Sequence, residues 1–181
     1  MPFWNNTKVQ PKLSFKWVAY IGRQSPELDV KSYTVRSFQK PSFSIASSEY
    51  IWLNDVGYRP GVLSWNPIEI NLTDGEGDEE NNTRVLYNML LRSGYQTKYT
   101  QKPKSAIEKA KSNFALGDTL ILAQINENGD LLETWRLQKP FLESVNFGQA
   151  NYAAEEIMTL TLTVRYDYAE WEKDSGAPSV Y

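Results

Sequence analysis

Acid–base chemistry in this chain would fall to carboxylates, because the sequence contains no histidine and no cysteine. The commonest general base and metal ligand is therefore missing. Thiolate nucleophiles, disulfides and cysteine-type zinc sites are missing with it. A pair of carboxylates can hydrolyse a glycosidic bond without either residue type. Glu155, Glu156, Asp167 and Glu170 are the acidic residues near a strongly patterned segment. Glu155 and Glu156 are adjacent, so in a strand they point to opposite faces and do not converge on one substrate. No P-loop, G-x-G-x-x-G, G-x-S-x-G or zinc spacing occurs. The expectation is a protein that is not an enzyme and that uses no cofactor and no metal. An enzyme would instead lose a defined activity on Glu155→Gln or Glu156→Gln.

Two binding chemistries remain to be weighed. Residues 74–82, DGEGDEENN, are oxygen-rich, as calcium loops are. They lack the EF-hand spacing with its terminal glutamate, and no helix precedes them, so a solvated connection is expected. Sugar-binding sandwiches expose tryptophan and tyrosine side by side, and this chain has 6 Trp and 11 Tyr. Trp17 and Trp135 fall on apolar strand faces, which points to core packing; Trp52 and Trp65 are open to either reading. A carbohydrate-binding β-sandwich is thus the alternative from another class. The net charge is −3, with no basic cluster to grip a phosphate backbone, so tight nucleic-acid binding is disfavoured.

The elements that would position these residues are mostly strands. In Glu156–Trp171, EIMTLTLTVRYDYAEW, Met158, Leu160, Leu162, Val164, Tyr166 and Tyr168 share one face and Ile157, Thr159, Thr161, Thr163, Arg165 and Asp167 the other. Period-two alternation over this length predicts one long strand with a buried and a wet face. A slip of one residue would exchange leucines for threonines, so its register is well specified. Further strands are expected over Leu13–Ile21, Val30–Phe38 and Val62–Leu72. Pro67 places the first half of the last at an edge. Phe43–Pro60 reads as a strand and then a turn at Asn54–Gly57, with Ile51, Trp52 and Leu53 as an apolar triplet. Asn82–Arg92 is the best helix, capped by Asn82 or Thr83, with Gly94 at its C′ position and Val85, Leu86, Met89 and Leu90 as its apolar stripe. Lys104–Asn113 reads as a short, polar second helix. Asn128-Gly129 predicts a hairpin between Thr119–Ile125 and Leu131–Leu137. Leu142–Gly148 reads as a bent connection.

With 181 residues the chain suits one domain. We expect an N-terminal arm over 1–10, a single domain over 11–171 and a loose tail over 172–181. Phe3 and Trp4 in the arm either belong to a disordered tail or dock on a neighbouring subunit. The expected fold is mainly β: a β-sandwich or open β-barrel with one packed α-helix. No segment approaches the roughly 20 apolar residues that span a bilayer. Residues 1–12 contain no apolar run of signal-peptide length, so the chain is expected to be made in the cytosol and to stay soluble unless assembled or exported by other means. The wet face Thr159, Thr161, Thr163, Arg165 and Asp167 is either a plain solvent face or the polar inner wall of an assembled barrel.

The order of these elements resembles the tail tube proteins of contractile-tailed bacteriophages, a family related to type VI secretion tube proteins. The most specific stretch is LESVNFGQANYAAEEIMTLTLTVRYDYAEWE, where Glu156-Ile157, Thr159, Leu160-Thr161, Leu162-Thr163 and Asp167-Tyr168 follow the style of the family's last strand. Lys40-Pro41, the run Ile68–Gly75 into an acidic turn, and the helix after it also fit. Residues 74–82, 95–118 and the tail are longer than a minimal member needs, which leaves open the tube of a related secretion system or injection particle, or a baseplate tube initiator. The resemblance implies hexameric rings with a continuous inner β-barrel, stacked into a tube in a virion tail. The implied partners are further copies of the chain, a tail sheath protein, the baseplate hub or tube initiator and tail terminator proteins. Tape measure protein and DNA would occupy the lumen transiently, and no membrane is involved. Lumen-facing candidates are then Thr159, Thr161, Thr163, Arg165 and Asp167. Ring-stacking candidates are Phe3, Trp4, Tyr50, Trp52, Asp74, Glu76 and Asp78.

Overall fold

Two four-stranded antiparallel sheets face each other across one apolar cluster, and a two-stranded ribbon leaves them. The computed structural model describes residues 14, 16–22, 28–78, 80–95, 109, 116–126, 128–150 and 156–173. Its elements are β1 (Trp17–Tyr20), β2 (Val35–Phe38), β3 (Phe43–Trp52), β4 (Asp55–Trp65), β5 (Ile68–Thr73), α1 (Asn82–Arg92), β6 (Thr119–Ile125), β7 (Leu131–Gln138), β8 (Phe141–Asn146), β9 (Thr159–Arg165) and β10 (Tyr168–Lys173). The first sheet has the order β1-β6-β7-β10, the second β2-β5-β9-β8, and the ribbon is β3-β4. The mainly β sandwich with a packed helix is as expected, and neither sheet closes into a barrel.

The core follows from the alternation. Ile68, Ile70 and Leu72 on β5 lie opposite Val164, Leu162 and Leu160 on β9, and all six are buried. Leu120, Leu122 and Leu137 of the facing sheet, with Ala19 and Ile21, complete the cluster. Helix α1 adds Val85, Leu86 and Met89. Its cap is Asn81, one residue earlier than expected: the Arg84 amide donates to the Asn81 side chain at 2.8 Å. Asn82 and Thr83 instead tie the helix to the exit of β5. The Asn82 side-chain Nδ2 donates to the Thr73 carbonyl at 2.7 Å, and the Thr83 backbone amide and hydroxyl donate to Asp74 at 3.2 and 2.7 Å. Gly94 follows the last turn with φ +105°, as its predicted position requires. Gly22, at φ +74°, sits where a Cβ would lie 1.9 Å from the Leu28 carbonyl oxygen, so the chain there admits only glycine.

Several expected elements are redrawn. The long final strand is two strands in different sheets, because the chain leaves β9 at Tyr166–Asp167 and crosses to the edge of β7. There the Asp167 amide donates to the Gln138 carbonyl at 3.0 Å. Tyr168, placed on the buried face by alternation, is therefore exposed, and so is Met158, which lies before the start of β9. The bent connection at Leu142–Gly148 is mostly strand β8, reached through a turn with Lys139 at φ +52° that again carries the chain from one sheet to the other. Val30 makes an isolated bridge to Ile21 and is separated from β2 by a 3-10 turn, Ser32–Thr34. The Thr34 hydroxyl, donating to the Lys31 carbonyl at 2.8 Å, closes that turn. The predicted Asn128-Gly129 hairpin is present, with the Asn126 side chain accepting from the Asn128 and Asp130 amides at 2.8 Å each. Strand β10 runs to Lys173. The arm, Glu155, the residues beyond 173 and all of the second-helix segment except Lys109 lie outside the described residues.

Candidate functional site

The surface that stands out is the ribbon. The expected strand, turn and next strand are a single hairpin, with β4 extending from Asp55 to Trp65 and only Asn66 and Pro67 separating it from β5. The turn is Leu53–Asn54, earlier than Asn54–Gly57. Cross-strand partners share a face. Phe43↔Trp65, Ile45↔Leu63, Glu49↔Tyr58 and Ile51↔Val56 therefore line one side. Ser44↔Ser64, Ser48↔Arg59, Tyr50↔Gly57 and Trp52↔Asp55 line the other. On the second side the Ser44 and Ser64 hydroxyls bond at 3.0 Å and the Arg59 guanidinium lies 4.6 Å from the centre of the Tyr50 ring, while Trp52 near the tip is left exposed. The first side is apolar for most of its length and nothing among the described residues covers it. Ile51, Trp52 and Leu53 at the tip are 74%, 73% and 87% exposed.

The ribbon's base is fixed. The Asn66 amide donates to the Ser42 carbonyl at 2.9 Å, and the Asn66 side chain donates to the Ser42 hydroxyl at 3.1 Å. Phe43 meets Trp65 edge-on at 5.5 Å between ring centres, and Trp65 lies 6.0 Å from Tyr166 in the core. Burial pushes the Tyr166 phenol above the ordinary value of 10.0, an effect the nearby Ser42 backbone partly offsets. Its hydroxyl makes no hydrogen bond of ordinary geometry. A buried unpaired hydroxyl is a cost to the fold. Tyr166→Phe is therefore expected to leave stability at neutral pH unchanged or slightly raised. Because the folded-state value is raised, the wild type loses stability as pH rises above the unfolded value, and the phenylalanine variant loses less. Urea titrations at neutral and alkaline pH check both signs.

The second surface is the outer face of β2-β5-β9-β8. Thr159, Thr161 and Thr163 are half-buried there and Arg165 is exposed at its end. Thr161 donates to Asn71 at 2.9 Å, Asn71 donates to Ser37 at 3.0 Å, and the Ser144 and Thr163 hydroxyls bond at 2.9 Å. Arg165 pairs with Glu143 at 3.0 Å. Four of the five lumen candidates thus share one face of β9, and Thr161, Thr163 and Arg165 are each tied to a neighbouring strand. Asp167 does not belong to it: it lies at the crossing between sheets and pairs with Lys109.

The ring-stacking candidates separate. Tyr50 and Trp52 sit on the ribbon. Asp74 is spent on the start of α1, whereas Asp78 is exposed and pairs with Arg84 at 3.1 Å, and Glu76 is exposed. Phe3 and Trp4 lie outside the described residues. Sequence reasoning missed the apolar side of the ribbon, although its period-two pairing was present in Phe43, Ile45, Ile51, Val56, Tyr58 and Leu63. Among the described residues no cluster of three metal-ligating side chains occurs, and no helix is long and apolar enough to cross a membrane.

No protein-family model and no curated protein matches the sequence. Solved structures do match its fold. One is a chain of the sheath-tube complex of an extracellular contractile injection system, PVC, in the extended state, at TM-score 0.66 and 15% identity, covering 96% of this chain and 99% of that one. Another is a chain of the anti-feeding prophage tube-terminating cap, at TM-score 0.67 and 15% identity, covering 95% and 98%. A third, from the anti-feeding prophage baseplate, has TM-score 0.66 and 10% identity and covers 91% and 97%. Over nearly its whole length, then, this chain has the fold of chains built into contractile injection particles.

Proposed function

We propose that the chain is a structural subunit of the inner tube of a contractile particle, not an enzyme. The observation that carries this is the uncovered apolar side of β3-β4, on a chain with that fold. Exposed apolar patches of this extent mark surfaces that meet another macromolecule. A ribbon projecting from one part of a subunit onto another part of the next is a heterologous contact, and such contacts propagate. In this reading the rings are hexamers, and the outer face of β9 with Thr159, Thr161, Thr163 and Arg165 lines the lumen. Edge strands β2 and β8 then pair between neighbours, which also protects them from uncontrolled association. Tyr50, Trp52, Glu76 and Asp78 remain candidates for contacts between rings, as does the arm with Phe3 and Trp4. The partners are further copies of the chain, a sheath protein, and baseplate and terminator proteins. In a bacteriophage tail the lumen would pass a genome past the tape measure protein; in an injection particle it would pass another cargo. The neutral, hydroxyl-rich wall suits either, because it offers no basic grip.

Negative-stain electron microscopy of the purified chain, with light scattering, tests the proposal. Hollow tubes or six-fold rings are expected. A chain that stays monomeric at high concentration, with no rings, overturns it.

A further inference from the structure

The chain carries a hole as well as a knob. Where the two sheets part, a cavity of about 390 Å³ opens, lined by Trp17, Phe38, Leu122 and Trp135 and flanked by Lys40 and Glu133. Trp17 and Phe38 meet edge-on at 4.8 Å in its apolar wall. The Trp135 indole N–H is buried and has no hydrogen-bond partner. Lys40, half-exposed at the rim, donates to Gln124 at 3.0 Å and also to Glu133. An ammonium has three donors, so one is left for an acceptor from outside.

The knob is the ribbon tip. Leu53 occupies the left-handed region, φ +57°, at a turn position that favours asparagine or glycine. A leucine there strains the monomer and leaves its side chain almost fully in solvent. Trp52 stands beside it, and Asp55 follows the turn.

The two cannot meet within one chain. Lys40 borders the cavity and β3 starts at Phe43, so the ribbon's base is beside the hole. Its tip lies roughly 30 Å further on, at about 3.3 Å per residue. Resting on the tube reading above, we infer that the tip, Trp52 and Leu53, inserts into the Trp17–Trp135 cavity of a second copy. In that contact Asp55 approaches the free donor of Lys40. Aromatic and aliphatic tip meets aromatic wall, and carboxylate meets ammonium. Because knob and hole are different surfaces of one chain, the contact is heterologous and can repeat from one ring to the next along the tube.

The native chain lacks cysteine, which makes the test clean. Two single-cysteine chains are made, Asn54→Cys at the tip and Ser14→Cys, a residue lining the cavity, one of them tagged. They are co-assembled and treated with a short bis-maleimide. A cross-linked heterodimer in assembled material is expected. Tubes or rings without it overturn the insertion and leave the tube reading standing; absence of any assembly overturns both. Independently, Leu53→Gly and Trp52→Ala are each expected to keep the monomer folded while raising the critical concentration for assembly by about tenfold or more, as loss of an interface anchor does. An unchanged critical concentration in both variants overturns the insertion.

Discussion

Replacing Ile45, Val56, Tyr58 and Leu63 together with threonine is expected to abolish assembly and leave the subunit's own fold intact. All four lie on the apolar side of the ribbon and are exposed. Threonine keeps the β-branched preference for a strand, so the ladder between β3 and β4 survives. What is lost is the apolar area that a neighbour would cover, at about 25 cal/mol per Å². Surface substitutions away from packed features change stability by about 0.5 kcal/mol or less each way. The thermal midpoint should therefore move by only a few degrees, roughly 2–4 °C per kcal/mol for a chain of this size. Sedimentation velocity and electron microscopy at a concentration where the wild type assembles would show monomers. Threonine at Ser44 and Ser48, on the opposite side, is the control and should assemble normally. Wild-type tubes from the four-fold variant would remove the ribbon from the interface.

The largest loss of stability is expected from Leu162→Ala. Leu162 is fully buried on β9, opposite Ile70 of β5 and Val145 of β8, with the facing sheet packed above it. Truncating a leucine at such a site removes its transfer free energy and leaves a cavity, about 2–5 kcal/mol in all. That corresponds to a fall in thermal midpoint of roughly 4–20 °C. Thr163→Ala, one residue along and on the other face, loses one hydroxyl pair with Ser144 and should cost about 1 kcal/mol or less. Calorimetry on the two variants separates them. Equal effects would mean that the register of β9 is not the one described.

Much of this architecture is legible in the residues. Leu160, Leu162 and Val164 alternate with threonines, and burial follows them. Asn128-Gly129 marks its hairpin, and Val85, Leu86 and Met89 mark the buried side of α1 with Gly94 closing it. The rest depends on information that alternation does not hold. Period two says which side chains share a face, not which sheet a strand joins. The passage from β9 to β10 at Asp167, and from β7 to β8 at Lys139, was therefore hidden. The same limit applies to Phe43, Ile45, Tyr58 and Leu63: an apolar face reads alike whether a sheet covers it or a second molecule does. Asp74 shows the opposite failure. Its acidic neighbourhood looks like a free loop, yet the chain folds back so that its carboxylate holds the first turn of α1.

The way the ribbon is rooted has a mechanical consequence. In a hairpin both strands join at the tip, so a pull on Trp52 and Leu53 stretches β3 and β4 side by side. The ladder bonds between them lie across the pull and carry almost none of it. The load arrives instead at the root, on the Asn66–Ser42 hydrogen bonds and the Phe43–Trp65–Tyr166 aromatic chain. Tyr166 sits at the point where the chain passes between sheets, so tension there reaches both sheets together. In the proposed tube, axial tension on the ribbons would therefore fall on these roots before it fell on the ladders.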